Sequence, residues 1–241
     1  MPKLSVILHT LISRFLLLLI LLLGMPIIFL MILLPEKYRY RSKILFGSMR
    51  FFYWAVVKAT LVPISYEGGD NVPDEPVVFV ANHQSALDIP LLGVFTKGRP
   101  HVWLARYELM KWKFLRWVLP RMAVVINPLS REKAMGSLRR LLRLAKAQPL
   151  DVMIFPEGAR YSDDKVHKFY GGFVMVAKLL NYKVVPVYIS GANKVYPPDT
   201  FWVKRHPITV IAGKPFELEK DESDDAFKDR VYQWFVAQSE R

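Results

Sequence analysis

The hydrophobic pattern divides the chain into an apolar N-terminal segment and a remainder in which short and long apolar periods alternate. No charged side chain occurs from Phe15 through Pro35. As one helix this stretch would reach about 30 Å, roughly the thickness of the hydrocarbon core of a bilayer. Gly24-Met25-Pro26 interrupts it, so a spanning helix and two shorter helices that re-enter one leaflet both fit the pattern. The length of the apolar run and the lack of a small-x-small site after it disfavour a cleaved signal peptide.

The cations around this segment are unevenly distributed. Two precede the apolar stretch and four follow it closely: Lys3 and Arg14, then Lys37, Arg39, Arg41 and Lys43. Positively charged flanks tend to stay on the cytoplasmic side of a membrane. We therefore expect residues 1–60 to form a membrane anchor with a basic juxtamembrane segment, and residues 61–241 to lie on the cytoplasmic face of the inner (plasma) membrane.

From Ser65 onward, short β-branched runs alternate with segments of helical period. The predicted strands are residues 77–81, 102–105, 123–126, 152–155, 184–189 and 208–212, and the predicted helices are residues 85–95, 131–147, 171–180 and 224–238. This alternation predicts an α/β fold with a mixed, largely parallel sheet flanked by helices, preceded by the hydrophobic membrane-anchoring helix or helical hairpin. No repeat or long linker indicates a second soluble domain.

Two basic segments carry competing interpretations. In residues 131–147, Ser130 is a candidate N-cap, and Arg139, Arg140 and Arg143 are predicted to form a solvated face. Residues 110–119 mix three cations with three aromatic rings. That mixture suits a lipid interface, the stacking of single-stranded nucleic acid, or an ordinary amphipathic helix packed on the sheet.

Composition narrows the chemistry. With 34 Lys and Arg against 21 Asp and Glu the formal charge is +13, which favours anionic partners such as nucleic acid, anionic lipid headgroups or phosphorylated substrates. Cysteine is absent, which excludes disulfides, Cys-ligated zinc and a thiol nucleophile. Three of the other four histidines, His101, His167 and His206, show no metal-ligand spacing with His83.

The heptapeptide Asn82-His83-Gln84-Ser85-Ala86-Leu87-Asp88 sets a base and a carboxylate five positions apart after a predicted strand. On one helix these side chains would point about 140° apart, so we place His83 in a loop and Asp88 in the first helical turn. The carboxylate then fixes the imidazole tautomer, and the other ring nitrogen takes a proton. Asp88 also fits a capping box with Ser85, and we expect one carboxylate oxygen to serve each role.

A second polar turn, Pro156-Glu157-Gly158-Ala159-Arg160, also follows a predicted strand. Glycine permits close backbone approach, and arginine binds phosphate in a bidentate manner. A surface turn with an ion pair is the alternative. Because both motifs end strands of one sheet, we expect them to share a cleft.

In these residues the chain resembles the 1-acylglycerol-3-phosphate acyltransferase family of membrane glycerolipid acyltransferases. The family signature N-H-x-x-x-x-D matches Asn82, His83 and Asp88, and its E-G-T-R block resembles Glu157-Gly158-Ala159-Arg160. Its A-K-x-E-L run is similar to Ala105-Arg106-Tyr107-Glu108-Leu109, and its V-P-V block to Val185-Pro186-Val187. The resemblance extends from about Ser65 to Lys214, with the blocks in family order.

The resemblance implies an acyltransferase domain over residues 61–241. It also implies a mechanism in which His83 deprotonates the sn-2 hydroxyl of a lysophosphatidic acid, which attacks the thioester of acyl-CoA or acyl carrier protein and gives phosphatidic acid. Asp88 orients the imidazole, and backbone amides near the motifs stabilise the oxyanion. The implied substrate-binding residues are Asn82, Ser85, Arg106, Glu157, Gly158 and Arg160, of which Arg106 and Arg160 are implied to bind the glycerol phosphate. The implied partners are these substrates and a membrane phospholipid surface, with no nucleic acid, cofactor or metal.

One block differs from the family. Where the family has G-x-I-F-I-D-R, this chain reads Met122-Ala123-Val124-Val125-Ile126-Asn127-Pro128, so the family arginine is absent there, and Arg121 or Arg131 is a candidate replacement. Glycerol 3-phosphate, another lysophospholipid or an aminolipid therefore stay open as acceptors. A non-catalytic, membrane-anchored lipid-binding protein is the alternative from a different class.

Overall fold

The computed structural model describes residues 3–126 and 130–241. The helices are α1 (Leu4–Ile32), α2 (Glu36–Arg39), α3 (Lys43–Ala59), α4 (Asp88–Val94), α5 (Lys113–Met122), α6 (Arg131–Ala147), α7 (Gly172–Leu180), α8 (Ala192–Val195) and α9 (Asp224–Ser239). The strands are β1 (Ile64–Glu67), β2 (Val78–Ala81), β3 (His101–Arg106), β4 (Ala123–Ile126), β5 (Asp151–Ile154), β6 (Val184–Ser190) and β7 (Ile208–Ala212). Short 3₁₀ helices cover Gly69–Asn71 and Tyr107–Lys111.

The strands form one seven-stranded sheet in the order β1-β7-β6-β2-β5-β3-β4. The β6 and β7 pair is antiparallel and the other neighbouring pairs are parallel. The predicted mixed, largely parallel sheet is therefore confirmed. All six predicted strands and all four predicted helices occur near their predicted positions, whereas β1, α3 and the short helices α2 and α8 were not predicted.

Helices cover both faces of the sheet. Along β2, Val78 and Val80 belong to one apolar cluster with residues of α6, α7 and α9, whereas Phe79 and Ala81 belong to another with residues of α4 and α8. This alternation follows the two-residue period of a strand. Because β2 is buried on both faces, it provides a rigid base for the loop that follows it.

The arginine face predicted on α6 is only partly solvated. Arg140 donates to Oε2 of Glu36 through Nε at 2.9 Å and Nη2 at 2.6 Å, and its Nη1 donates to the carbonyl oxygen of Ala123 at 3.0 Å. The prediction of a solvated face is therefore wrong for Arg140, which links α6 to α2 and β4. Helical periodicity could not reveal this, because the partners are distant in sequence.

The helix α1 continues through Pro26 without a break, although proline in a helix interior removes a hydrogen bond. It is long and apolar enough to cross a membrane by length and composition, which is weak support for membrane association. Many of its leucines are exposed, including Leu22 at 61 % and Leu23 at 74 %. The two-helix alternative within residues 15–35 is thus replaced by one helix, and α3 forms the second member of a pair with α1.

Candidate active site

Three neighbouring strands bring the two motifs to one edge of the sheet. β2, β5 and β3 lie side by side and parallel. His83 follows β2, Glu157 follows β5, and Arg106 ends β3. Parallel strands present their carboxyl ends on the same edge. The motifs therefore meet in one cleft, as the sequence predicted.

His83 and Asp88 form a hydrogen-bonded pair. His83 lies in the loop after β2, and Asp88 is the first residue of α4. Nδ1 of His83 is 2.8 Å from Oδ2 of Asp88, whose side chain is fully buried, while the imidazole is 16 % exposed. An ionised carboxylate only accepts hydrogen bonds, so Nδ1 carries the proton and donates it. This tautomer leaves Nε2 of His83 as the proton acceptor.

The same carboxylate oxygen also holds the turn before α4. Oδ2 of Asp88 accepts the backbone N–H of Gln84 at 2.6 Å and that of Ser85 at 2.7 Å. Oδ1 is buried without a hydrogen-bond partner among the described residues. The expectation of one oxygen for each role is therefore wrong, because Oδ2 serves both the cap and the imidazole.

Three of the predicted substrate-binding side chains fix the loop around His83. Asn82 Nδ2 donates to the carbonyl oxygen of Ile189 and Asn82 Oδ1 accepts the Ile189 N–H, both at 2.8 Å. Ser85 Oγ donates to the carbonyl oxygen of Tyr196 at 2.7 Å. Glu157 Oε1 accepts the N–H of His83 at 3.1 Å. A substrate contact for Asn82, Ser85 and Glu157 stays a prediction, since these side chains are buried and bonded to backbone.

Glu157 is held in a site that disfavours its charge. Burial, supported by the nearby charge of Asp88, raises the pKa of Glu157 to about 8, although the hydrogen bond from His83 N–H lowers it. The carboxyl group is therefore mostly neutral at pH 7. A neutral Glu157 accepts from the His83 backbone without adding a second negative charge beside Asp88.

Two aromatic rings that sequence reasoning did not assign to the site support the imidazole from behind. The His83 and Phe155 rings are stacked, with centroids 4.0 Å apart and planes 10° apart. Phe155 in turn stacks on Trp103 at 5.7 Å and 23°. The only signal in the sequence was the aromatic residue directly before Pro156-Glu157. The stack of His83, Phe155 and Trp103 restrains the ring plane, while Asp88 restrains its in-plane direction.

Arg106, Gly158 and Arg160 line the same cavity as His83. Arg106 Nη1 donates to the carbonyl oxygen of Gly158, and its Nε donates to Oε2 of Glu108 at 3.2 Å. Gly158 has a φ of +68°, and a Cβ there would lie 3.1 Å from the Tyr170 ring. The positive φ favours glycine there, whereas a Cβ would only require the exposed Tyr170 ring to shift by a few tenths of an ångström. Phosphate binding by the two guanidinium groups stays a prediction.

A cavity of about 660 Å³ extends from His83. His83, Arg106 and Arg160 are polar residues in its wall, and much of the remaining wall is apolar. Its apolar wall includes Met25 and Ile28 of α1, Met49, Phe52 and Tyr53 of α3, and Leu119 and Met122 of α5. The helices of the predicted anchor thus also form part of the site. Asn127 and Pro128, the divergent block, lie outside the described residues.

The fold and the site together define a class of protein: an α/β domain that holds a His-Asp pair beside an apolar cavity walled by N-terminal helices. The model of the acyltransferase family matches residues 63–190, and this chain belongs to that family.

Similar proteins agree with this assignment. The 1-acyl-sn-glycerol-3-phosphate acyltransferase LPAT1 (chloroplastic) of Arabidopsis thaliana is 32 % identical over 163 residues, which cover 65 % of this chain and 44 % of that protein. BAT2 (chloroplastic) of Brassica napus, also a 1-acyl-sn-glycerol-3-phosphate acyltransferase, is 30 % identical over 184 residues, which cover 73 % of this chain and 52 % of that protein. This chain thus spans about half the length of these two relatives.

A solved structure shares the fold. The crystal structure of the 1-acyl-sn-glycerophosphate (LPA) acyltransferase PlsC from Thermotoga maritima matches with a TM-score of 0.78 at 24 % identity. The match covers 100 % of this chain and 97 % of that one, so it includes α1 to α3 as well as the sheet.

Proposed function

We propose that this protein transfers a fatty acyl group from acyl-CoA or acyl carrier protein to the sn-2 hydroxyl of 1-acylglycerol-3-phosphate, forming phosphatidic acid in phospholipid biosynthesis. The observation that carries this proposal is the His83 and Asp88 pair facing an apolar cavity in a chain of the acyltransferase family. The names of the relatives, which state the same acceptor class, support it.

The proposed step is direct acyl transfer. Nε2 of His83 takes the hydroxyl proton of the acceptor, whose oxygen bonds to the thioester carbonyl carbon. The tetrahedral intermediate collapses, the C–S bond breaks, and the leaving thiolate takes the proton back from His83. Asp88 stabilises the imidazolium that exists between the two proton transfers. Since the chain contains no cysteine, the acyl group cannot pass through a thioester on a side chain of this protein, and direct transfer avoids that step.

The distribution of polarity in the cavity supports a lipid substrate with a phosphate. Arg106 and Arg160 provide guanidinium groups suited to a glycerol phosphate. The apolar wall from α1, α3 and α5 suits an acyl chain. In this proposal the hydroxyl lies beside His83, the phosphate lies at the arginines, and a chain occupies the apolar part.

We further propose that α1 lies along one leaflet rather than across the bilayer. Near its start, Thr10 Oγ1 accepts the Val203 N–H at 3.1 Å; near its end, Phe29 stacks on Trp117 at 5.2 Å. These contacts are about 28 Å apart along the helix, and both are made with the globular part of the protein. A crossing helix would carry the Val203 loop to the opposite surface. The exposed leucines of α1 then face the acyl chains of one leaflet.

The basic and aromatic segment at α5 fits the same orientation. Trp112 and Phe114 are 70 % and 63 % exposed, whereas Trp117 packs on α1. Exposed aromatic rings among cations are typical of the lipid interface. Together with the basic flank after α1, these residues support attachment to the cytoplasmic face of the inner membrane.

The test is an assay of the purified full chain with 1-acylglycerol-3-phosphate in mixed micelles and labelled acyl-CoA or acyl carrier protein. We expect formation of labelled phosphatidic acid with one or both donors, and a loss of about 100-fold or more in His83→Ala. The matched control is His206→Ala, since His206 is bonded only to its own neighbour, the carbonyl oxygen of Pro207, among the described residues. Near-normal turnover by His83→Ala would refute the assignment of the base, and no transfer by the wild type would favour a non-catalytic lipid-binding protein.

A panel of candidate acceptor substrates identifies the preferred acceptor. Glycerol 3-phosphate, other lysophospholipids and an aminolipid are compared with 1-acylglycerol-3-phosphate at equal concentration. We expect the highest kcat/KM for 1-acylglycerol-3-phosphate. A higher value for another acceptor would assign the site to that acceptor while leaving the chemistry intact.

A further inference from the structure

Tyr53 lies at the centre of a buried hydrogen-bonded chain between α3 and β3. Its hydroxyl oxygen is 3.0 Å from Nε2 of His101 and accepts the indole N–H of Trp103 at 3.1 Å. His101 Nδ1 is 2.9 Å from the carbonyl oxygen of Arg99, so Nδ1 carries the proton and Nε2 accepts from Tyr53. Burial lowers the pKa of His101 to about 4, which keeps the ring neutral. Each donor in this series of hydrogen bonds thus has one acceptor, and the orientation of Trp103 is fixed.

Trp103 transmits this restraint towards His83. Its indole stacks on Phe155, and Phe155 stacks on the His83 imidazole at 4.0 Å. Aromatic rings prefer an offset-stacked or edge-to-face arrangement, so a tilt of one ring in a stack disturbs the packing of its neighbour. Loss of the tether on the Trp103 N–H therefore permits the whole stack to tilt.

Tyr53 also contacts the helix that carries Asp88. A Cβ added to Gly93 of α4 would lie 2.4 Å from Cδ2 and 2.5 Å from Cε2 of Tyr53. The Tyr53 ring is therefore packed directly on the α4 backbone, about 1.4 turns beyond Asp88. One side chain thus supports both restraints on His83, the carboxylate on α4 and the aromatic stack.

We propose that Tyr53 is a positioning residue for His83, and that it links helix α3 of the N-terminal pair to the catalytic imidazole. This role rests on the proposed function, because His83 must act as the base for its orientation to matter. Tyr53 need not touch a reacting atom. Its hydroxyl and its ring keep Nε2 directed at the acceptor hydroxyl.

The test is Tyr53→Phe, which keeps the ring on Gly93 and removes only the hydroxyl. We expect kcat to fall on the order of tenfold with KM for both substrates nearly unchanged, below the ~100-fold that a 1 Å misplacement can cause. The matched control is Tyr40→Phe. Tyr40 is equally buried, but its hydroxyl has no hydrogen-bond partner among the described residues. An unchanged kcat in Tyr53→Phe, or an equal fall in Tyr40→Phe, would overturn the proposal.

A double-mutant cycle with Trp103→Phe tests the path. If Tyr53 acts through Trp103, Tyr53→Phe lowers kcat less in the Trp103→Phe background than in the wild type. The loss in the double variant is then smaller than the product of the two single losses. Multiplicative losses would contradict the path. Should Tyr53→Phe fail to fold, Trp103→Phe alone, which keeps a ring against Phe155 and the bond from Tyr53 to His101, must still lower kcat.

A spectroscopic readout separates this proposal from the proposed function. The Nδ1 proton of His83, assigned by its loss in His83→Gln, is observed by NMR in substrate-free protein. We expect it to be sharp in the wild type and Tyr40→Phe, and shifted or broadened by exchange in Tyr53→Phe. An unchanged resonance would refute the positioning role even if the enzyme is active, whereas a changed one supports it even if the natural acceptor is a different lipid.

Discussion

The buried carboxyl of Glu157 makes a quantitative prediction about stability. Its pKa rises from 4.5 to about 8 on folding, chiefly because the group is buried. Between these pH values the unfolded chain has lost the proton that the folded chain retains. The free energy of unfolding therefore falls as pH rises, by about 1.4 kcal/mol per pH unit from this group. The total decrease in the free energy of unfolding from Glu157 is on the order of 5 kcal/mol, and it is reached above about pH 8.

The perturbation is Glu157→Gln, which removes the titration while keeping an oxygen that accepts the His83 N–H. We expect the variant to match the wild type near pH 5 and to exceed it by several kcal/mol near pH 8.5. Asp151, whose pKa burial raises to about 6, and His101, whose pKa burial lowers to about 4, also make stability depend on pH. Both contributions are common to the two proteins and cancel in their difference.

The assay is denaturant-induced unfolding of the full chain in detergent micelles from pH 5 to pH 9, followed by tryptophan fluorescence. Glu240→Gln, a change at an exposed position near the end of α9, is the matched control and should run parallel to the wild type. If the curves of Glu157→Gln and the wild type are parallel across this range, Glu157 is ionised in the folded protein and the reasoning from burial is wrong.

Three further variants test the site. Asp88→Asn keeps an acceptor for the turn but removes the charge that stabilises the imidazolium, so kcat in the acyl-transfer assay should fall about 100-fold or more; a loss below threefold would contradict the pair. Asn82→Ala removes both bonds to Ile189, so the free energy of unfolding should fall by about 2 kcal/mol or more, measured by denaturation; an unchanged value would show that the loop is held otherwise. Arg106→Gln should raise KM for the phosphate-bearing acceptor more than KM for the acyl donor in steady-state kinetics, and an equal rise would place the acceptor phosphate elsewhere.

Local patterns predicted most of the elements. The six predicted strands are short apolar runs, and β2, β5 and β6 are almost entirely buried, so local preference and tertiary packing agree there. The strand β1 was missed because Ile64-Ser65-Tyr66-Glu67 is short, half polar and mostly exposed at the sheet edge. Helix α3 was missed because its apolar face packs on the domain while its position after an apolar segment indicated an anchor.

The sequence by itself determined the local geometry of the His83 and Asp88 pair. Five-residue spacing after a strand places His83 in a loop and Asp88 in the first helical turn, and these contacts are local along the chain. Only the tertiary structure decided what holds the pair in place: β5 beside β2 brings Phe155 and Glu157 to His83, and α3 brings Tyr53 to Trp103. Such contacts depend on strand order and helix packing between residues far apart in the chain, which local periodicity does not encode.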